Sequence, residues 1–393
     1  VSHDHLTPGD DAFDPRRWEE AGPEELTRLA EQRPEELYEA AVRLCRGAPG
    51  GEFGGTPQTR TAGRIAEVLA DTRSRDCAAY AVDIVGRLPP QGAAARQERD
   101  RLRRSVAERL AKAQPPRHLE PLFVALPDDP HDPEAETRAC ILGELALTGA
   151  GTGRRVLDAY TARLRELGHP LTRLPGTRLD VEHRFTVRVR GLGPVKTPQQ
   201  LRARFPEMPP SDRGAVVGRG AAGVPDDGRA QAAVRPFTAG GWEGGSEARF
   251  FMLPEPLDPD AFGMSLLEEL PLDCLTVGNG RQGTALACAT TPDDVLNELF
   301  SAAYYGGVNG QGQGRAYARL YAWDSLYALM GLSVDVPFLE AVRVAADHRW
   351  LRFMAFTGWF HHDAADVAFA VLDPTRTRVA VLAATDTDQD APG

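Results

Sequence analysis

Apolar residues recur every three or four positions from residue 23 to about 168 and then alternate strictly between residues 178 and 190. The first spacing predicts helices with one buried stripe and the second a strand with one buried and one wet face. Pro23-Glu24-Glu25-Leu26 and Pro34-Glu35-Glu36-Leu37 each read as a helix start. Proline at the first helical position loses no hydrogen bond, and acids in the first turn meet the positive end of the dipole. Leu37, Ala40, Ala41, Leu44 and Cys45 form one stripe; Ile65, Val68 and Leu69 another; Cys77, Tyr80, Ala81, Ile84 and Leu88 a third. Leu102, Val106 and Leu110 mark an arginine-rich helix, Asp132-Pro133-Glu134 opens a further one that Gly149 closes, and Val156, Leu157, Tyr160, Leu164 and Leu167 complete the set. Residues 23–170 therefore read as an all-α domain of about seven or eight helices in helical hairpins. The acidic lead-in 1–22 has Phe13 and Trp18 as anchors.

In the alternating stretch Leu179, Val181, His183, Phe185, Val187 and Val189 fall on one side and charged or polar residues on the other, so residues 171–190 are expected to contain a strand with His183 in the core. Residues 191–247 hold 18 Gly or Pro among 57 and read as a long loop or linker. Order returns over 248–388. Strands are expected at 248–253, 350–357, 367–372 and 379–384, with weaker extended segments at 272–277 and 284–289. Helices are expected at 262–270, from Thr291 to Tyr305, over 315–330 and after Pro337. The fold class is α+β: a helical N-terminal domain followed by an α+β domain with an antiparallel sheet.

Composition narrows the function classes. The 393 residues exceed the size at which one core stops growing, and the net charge of −11 disfavours a general nucleic-acid or anionic-membrane partner. Five cysteines form no CxxC, which removes support for zinc ribbons and thiol redox chemistry. No apolar run approaches the length of a membrane span, and no secretory leader is evident, so a reduced cytoplasmic protein is expected. Only Lys112 and Lys196 are lysines among 45 basic residues, a bias expected of a GC-rich genome.

Two motif-like strings fail on context. Gly218-Arg-Gly220-Ala-Ala-Gly223 matches a dinucleotide fingerprint but is followed by Pro225-Asp-Asp-Gly228 where a helix should begin. Gly244-Gly-Ser246-Glu-Ala248 resembles a nucleophile elbow yet lacks the last glycine and runs into a strand.

The segments Ala248-Arg-Phe-Phe-Met-Leu-Pro-Glu-Pro256, Gly314-Arg-Ala-Tyr-Ala-Arg-Leu-Tyr-Ala-Trp-Asp-Ser-Leu326 and Arg378-Val-Ala-Val-Leu-Ala-Ala-Thr-Asp-Thr-Asp388 resemble an uncharacterised actinobacterial family, a domain of unknown function. The resemblance covers roughly residues 232–388. It implies a cytoplasmic actinobacterial protein and brings no activity, cofactor or catalytic residue.

Three features stand above the background. Asp324 is a carboxylate on the helix 315–330, whose apolar residues fall on every side, and it shares a face with Tyr317 and Tyr321. Such a group needs a partner, and a structural Arg or Tyr is the favoured one. The loop 306–314, with five glycines in nine residues, precedes that helix and lacks the Lys-Ser/Thr of a phosphate loop. A connection between packed helices is favoured there over an anion nest. His361, His362, Asp363 and Asp366 carry metal-ligating atoms without metal-site spacing, so an aromatic-rich turn is favoured. The arginine-rich helix 96–112 reads as a solvated charged face.

No cofactor or metal is implied. The leading expectation is a non-enzymatic cytoplasmic protein-interaction protein. The alternative is an enzyme or small-ligand binder with a cleft at residues 304–330, using Tyr305, Asn309, Arg315, Tyr317, Tyr321 and Asp324.

Overall fold

A computed structural model describes residues 13–47, 56–88, 93–130, 132–151, 153–185, 195–205, 212–276, 284–308, 310, 312–362 and 365–387. The chain divides into two compact units, residues 1–172 and 173–393, and its fold class is α+β.

The first unit is helical among its described residues: α1 (Pro15–Glu20), α2 (Pro23–Gln32), α3 (Pro34–Gly47), α4 (Pro57–Asp71), α5 (Arg75–Arg87), α6 (Ala93–Ala113), α7 (Pro116–Leu119), α8 (Pro133–Thr148) and α9 (Arg155–Glu166). The start and stop signals act as their chemistry requires. The Asp132 carboxylate accepts from the Glu134 backbone N–H at 2.7 Å, and Gly149 ends α8 in the left-handed region at φ 71°. Leu37, Ile65, Leu69, Ile84, Val106 and Ile141 are fully buried. Each such burial contributes about 1.5–3 kcal/mol, which is what fixes helices that alone would be marginal. Along α6, Arg101 pairs with Glu98, Arg103 with Asp100, and Arg109 with Asp71. Arg101 and Arg109 are exposed, whereas Arg103 is buried and also donates to the Thr137 hydroxyl at 3.1 Å, so the helix is not a solvated face throughout.

The second unit is built on one antiparallel sheet: β1 (Ala222–Gly223), β2 (Gly245–Met252), β3 (Thr284–Ala289), β4 (Arg349–Phe356), β5 (Ala365–Leu372) and β6 (Arg378–Asp386), in the order β1-β2-β6-β5-β4-β3. The central hairpin pairs Val367 with Ala384 and Leu372 with Val379. Every residue of β6 after Arg378 is buried, as expected of a central strand covered on both faces. One face packs into a cluster containing Phe251, Val381, Phe353, Leu257, Leu266 and Leu201. Helices α10 (Pro198–Arg204), α11 (Asp212–Gly218) and α13 (Met264–Leu267) belong with this side. Helices α12 (Arg229–Ala239), α14 (Pro292–Tyr305) and α15 (Gly314–Met330) pack on one another, and α12 also packs on β2. Helix α16 (Phe338–Asp347) leads into β4.

Three expectations need correction. The alternating stretch is a 3-10 turn at Asp180–Glu182 rather than a strand, with residues 186–190 outside those described. Val181 and Phe185 are buried as the alternation predicts, but two positions are reversed: Glu182 is buried and His183 exposed. Residues 191–247 are not one long loop, since they contain α10, α11, β1, α12 and the start of β2. Gly214, Gly218, Gly220, Gly240 and Gly244 among them serve close packing. A Cβ on Gly218 would lie 2.9 Å from the Leu266 carbonyl, so α11 approaches α13 only with glycine there. The extended segment expected at 272–277 is a 3-10 turn at Asp273–Leu275.

Candidate functional site

Helix α15 is buried along its length, Ala316 to Met330, because its apolar residues fall on every side. Two charged side chains are buried with it, and each has found its counter-charge. Asp324 accepts from Arg173 at 3.1 Å and lies 3.6 Å from Arg235. The Arg235 guanidinium also covers the Tyr321 ring at 4.5 Å, and Tyr321 lies 5.6 Å from the Tyr317 ring. Burial raises the Asp324 pKa, and the two arginines partly oppose that shift. Tyr321 and Asp324 thus share Arg235, and Tyr317 lies beside Tyr321 one turn earlier.

Arg315 is the second residue of the helix, nine residues and about 14 Å along the axis from Asp324. Tyr305 ends α14 and packs edge-on against Tyr304 at 4.8 Å. Asn309 lies outside the described residues.

The glycine-rich loop has an anion of its own. The Asp386 carboxylate, at the end of β6 and only 1% exposed, accepts backbone N–H groups from Glu243 at 2.9 Å and from Val308. Gly307 donates to the Gly240 carbonyl at 3.0 Å, and a Cβ at Gly307 would overlap the Asp386 carboxylate. Gly306 has φ 75°, a conformation that glycine adopts without strain. The Val308 backbone donor is therefore used on an internal carboxylate rather than on a ligand anion.

The histidine turn is held by hydrogen bonds. His361 N–H donates to Thr385 Oγ1 at 3.1 Å, His362 N–H to Asp366 at 3.0 Å, and the Thr385 hydroxyl to Asp366 at 2.7 Å. The His362 ring stacks on Phe356 at 5.2 Å. Asp363 lies outside the described residues, among which no group of three or more His, Cys, Asp or Glu side chains could hold a metal ion.

Two further charged centres escaped the sequence reading. Arg319, on α15, donates to both oxygens of Glu182, at 2.7 and 3.0 Å, and to the carbonyls of Pro175 and Thr177. Trp323 Nε1 donates to the same carboxylate at 2.7 Å, and Leu179 N–H at 2.7 Å. An arginine inside a helix with no wet face was the available signal, since it demands a buried carboxylate somewhere in the fold. The second centre is Glu298 on α14, which accepts from Arg352 of β4 at 2.7 Å. Burial outweighs that attraction and pushes the Glu298 carboxyl up to about 7.

Fold and site together define an α+β protein whose central aromatic helix is tied to its surroundings by buried charge pairs. The chain belongs to a family of unknown function (DUF6183), whose family model matches residues 24–388. The match extends well beyond residues 232–388 and takes in most of the helical first unit. Comparisons with curated proteins and with solved structures give no match. No described helix is long and apolar enough to cross a membrane.

Proposed function

We propose that the chain is a non-enzymatic protein of an actinobacterial cytoplasm that works by engaging another protein. The observation that carries this reading is the pairing of Asp324 with Arg173 and Arg235, which commits the most catalyst-like group of the sequence to internal contacts. Asp386 is committed in the same way to the glycine-rich loop. The surface offers apolar contact instead: Leu339 on α16 is 64% exposed and Val334, just before it, 49%. The arginine-for-lysine bias supports the actinobacterial setting.

The direct trial is affinity capture of the tagged full chain from the native host, beside a Leu339→Asp variant. The reading expects a partner that the wild type retains and the variant loses. Recovery of no partner at any salt concentration counts against it, as does equal capture by both proteins. The alternative of a small-ligand binder draws on a cavity at the C-terminal end of α15, away from the glycine-rich loop.

A further inference from the structure

A cavity of about 190 Å³ lies between the last turn of α15, the first turn of α12 and the adjoining ends of β2, β5 and β6. Phe250, Met330, Val371 and Ala380 give it apolar walls, and two guanidinium groups, Arg229 and Arg378, stand among its lining residues. We propose that this cavity binds a small carboxylate with a compact apolar body, such as a single aromatic ring or a short branched chain.

The size supports the apolar part. An engineered cavity of about 150 Å³ lined by apolar side chains stays dry and binds benzene. The present one therefore accommodates a ring with one substituent. Its walls come from β-strands and from the end of a buried helix, so the space is preformed and little ordering is required on binding.

The charges select the head group. Arg229 is held in place by Asp227 at 2.7 Å and by the face of Phe250, with the guanidinium 4.9 Å from the ring centroid. Arg378 is exposed, and among the described residues it pairs with no carboxylate. Asp373, which also lines the cavity, is already engaged. One oxygen accepts the backbone N–H groups of Thr377 and Arg378 at 3.0 and 2.9 Å, and the other accepts the Thr375 hydroxyl at 2.6 Å. Arg378 is thus the cation with donors to give, and a planar guanidinium matches a carboxylate in two parallel hydrogen bonds.

The test uses the full chain and two probes of one shape, benzoate and benzyl alcohol, followed by ligand-observed NMR and calorimetry at low and high salt. Two variants accompany it. Arg378→Gln removes the charge at an exposed position, and Met252→Trp, at the last residue of β2 and 38% exposed, narrows the mouth; circular dichroism checks that both fold. The proposal expects benzoate to bind about tenfold more tightly than benzyl alcohol. It also expects Arg378→Gln to abolish that preference, high salt to weaken it, and Met252→Trp to block both probes. It is overturned if neither probe binds up to about 10 mM, a concentration that admits even very weak ligands. Equal binding of the two probes overturns it, and so does benzoate binding that survives both substitutions. The inference stands apart from protein engagement, since neither Leu339 nor Val334 lines the cavity.

Discussion

Arg319 and Glu182 stand 137 positions apart in the chain, yet their side chains meet through two parallel hydrogen bonds with exposures of only 1% and 0%. Taking two full charges out of water costs several kcal/mol for each, and an ion pair alone barely recovers that. Here most of the remaining hydrogen-bonding capacity is also met. Two backbone carbonyls accept from the guanidinium, and Trp323 and the Leu179 N–H donate to the carboxylate. A network of this kind, in which every nitrogen of the guanidinium and both carboxylate oxygens are engaged, fixes which way α15 faces and where the 3-10 turn docks upon it.

Asp324 is of a different kind. Its two arginines are 37% and 49% exposed at the side chain, so water solvates them when the carboxylate is neutralised. Asp324→Asn keeps the shape and removes the charge, and urea unfolding is expected to change by about 1 kcal/mol or less. A loss above about 2 kcal/mol would show that the pair is coupled as tightly as a buried one.

Glu298 supplies a pH dependence. Its folded pKa of about 7 lies above the ordinary 4.5, so the folded state holds this proton more firmly than the unfolded chain does. That contribution is fully present below about pH 4.5 and is lost as pH rises through about 7, on the order of 3 kcal/mol in all. Glu298→Gln should flatten the profile, making the variant more stable than the wild type at pH 8 and close to it at pH 4.5. Parallel stability profiles for the two proteins across this range would rule the assignment out.

Gly307 leaves no room for a side chain beside Asp386. Gly307→Ala is expected to lose about 1–3 kcal/mol through overpacking. For a unit of this size that lowers the melting temperature by about 2–4 °C per kcal/mol. An unchanged melting temperature would mean that the loop does not wrap the carboxylate.

Legibility in the sequence followed the range of the interactions. Proline and aspartate at helix starts, the left-handed glycine after α8 and the apolar strands β5 and β6 act within a few residues, so local pattern exposes them. Glu182 did not show because its burial depends on Arg319 from a distant helix, and a period-two pattern carries no information about that partner. The short helices of 191–247 were hidden for another reason. Glycine in α11 reads as a breaker, whereas its use is to let the helix touch α13. At the candidate site, the common face of Tyr317, Tyr321 and Asp324 was legible because helical spacing sets it. The opposing Arg173 and Arg235 were not, since tertiary packing places them.

The claim that buried charge pairs on α15 hold the second unit together is tested most directly by a double-mutant cycle on Glu182→Gln and Arg319→Met. Urea unfolding can be followed by tryptophan fluorescence, to which that unit contributes Trp242, Trp323, Trp350 and Trp359. Each single substitution strands its partner and is expected to lose about 3–5 kcal/mol, with the double variant losing far less than the sum. Additive losses below about 1 kcal/mol each, the size typical of exposed pairs, would contradict it.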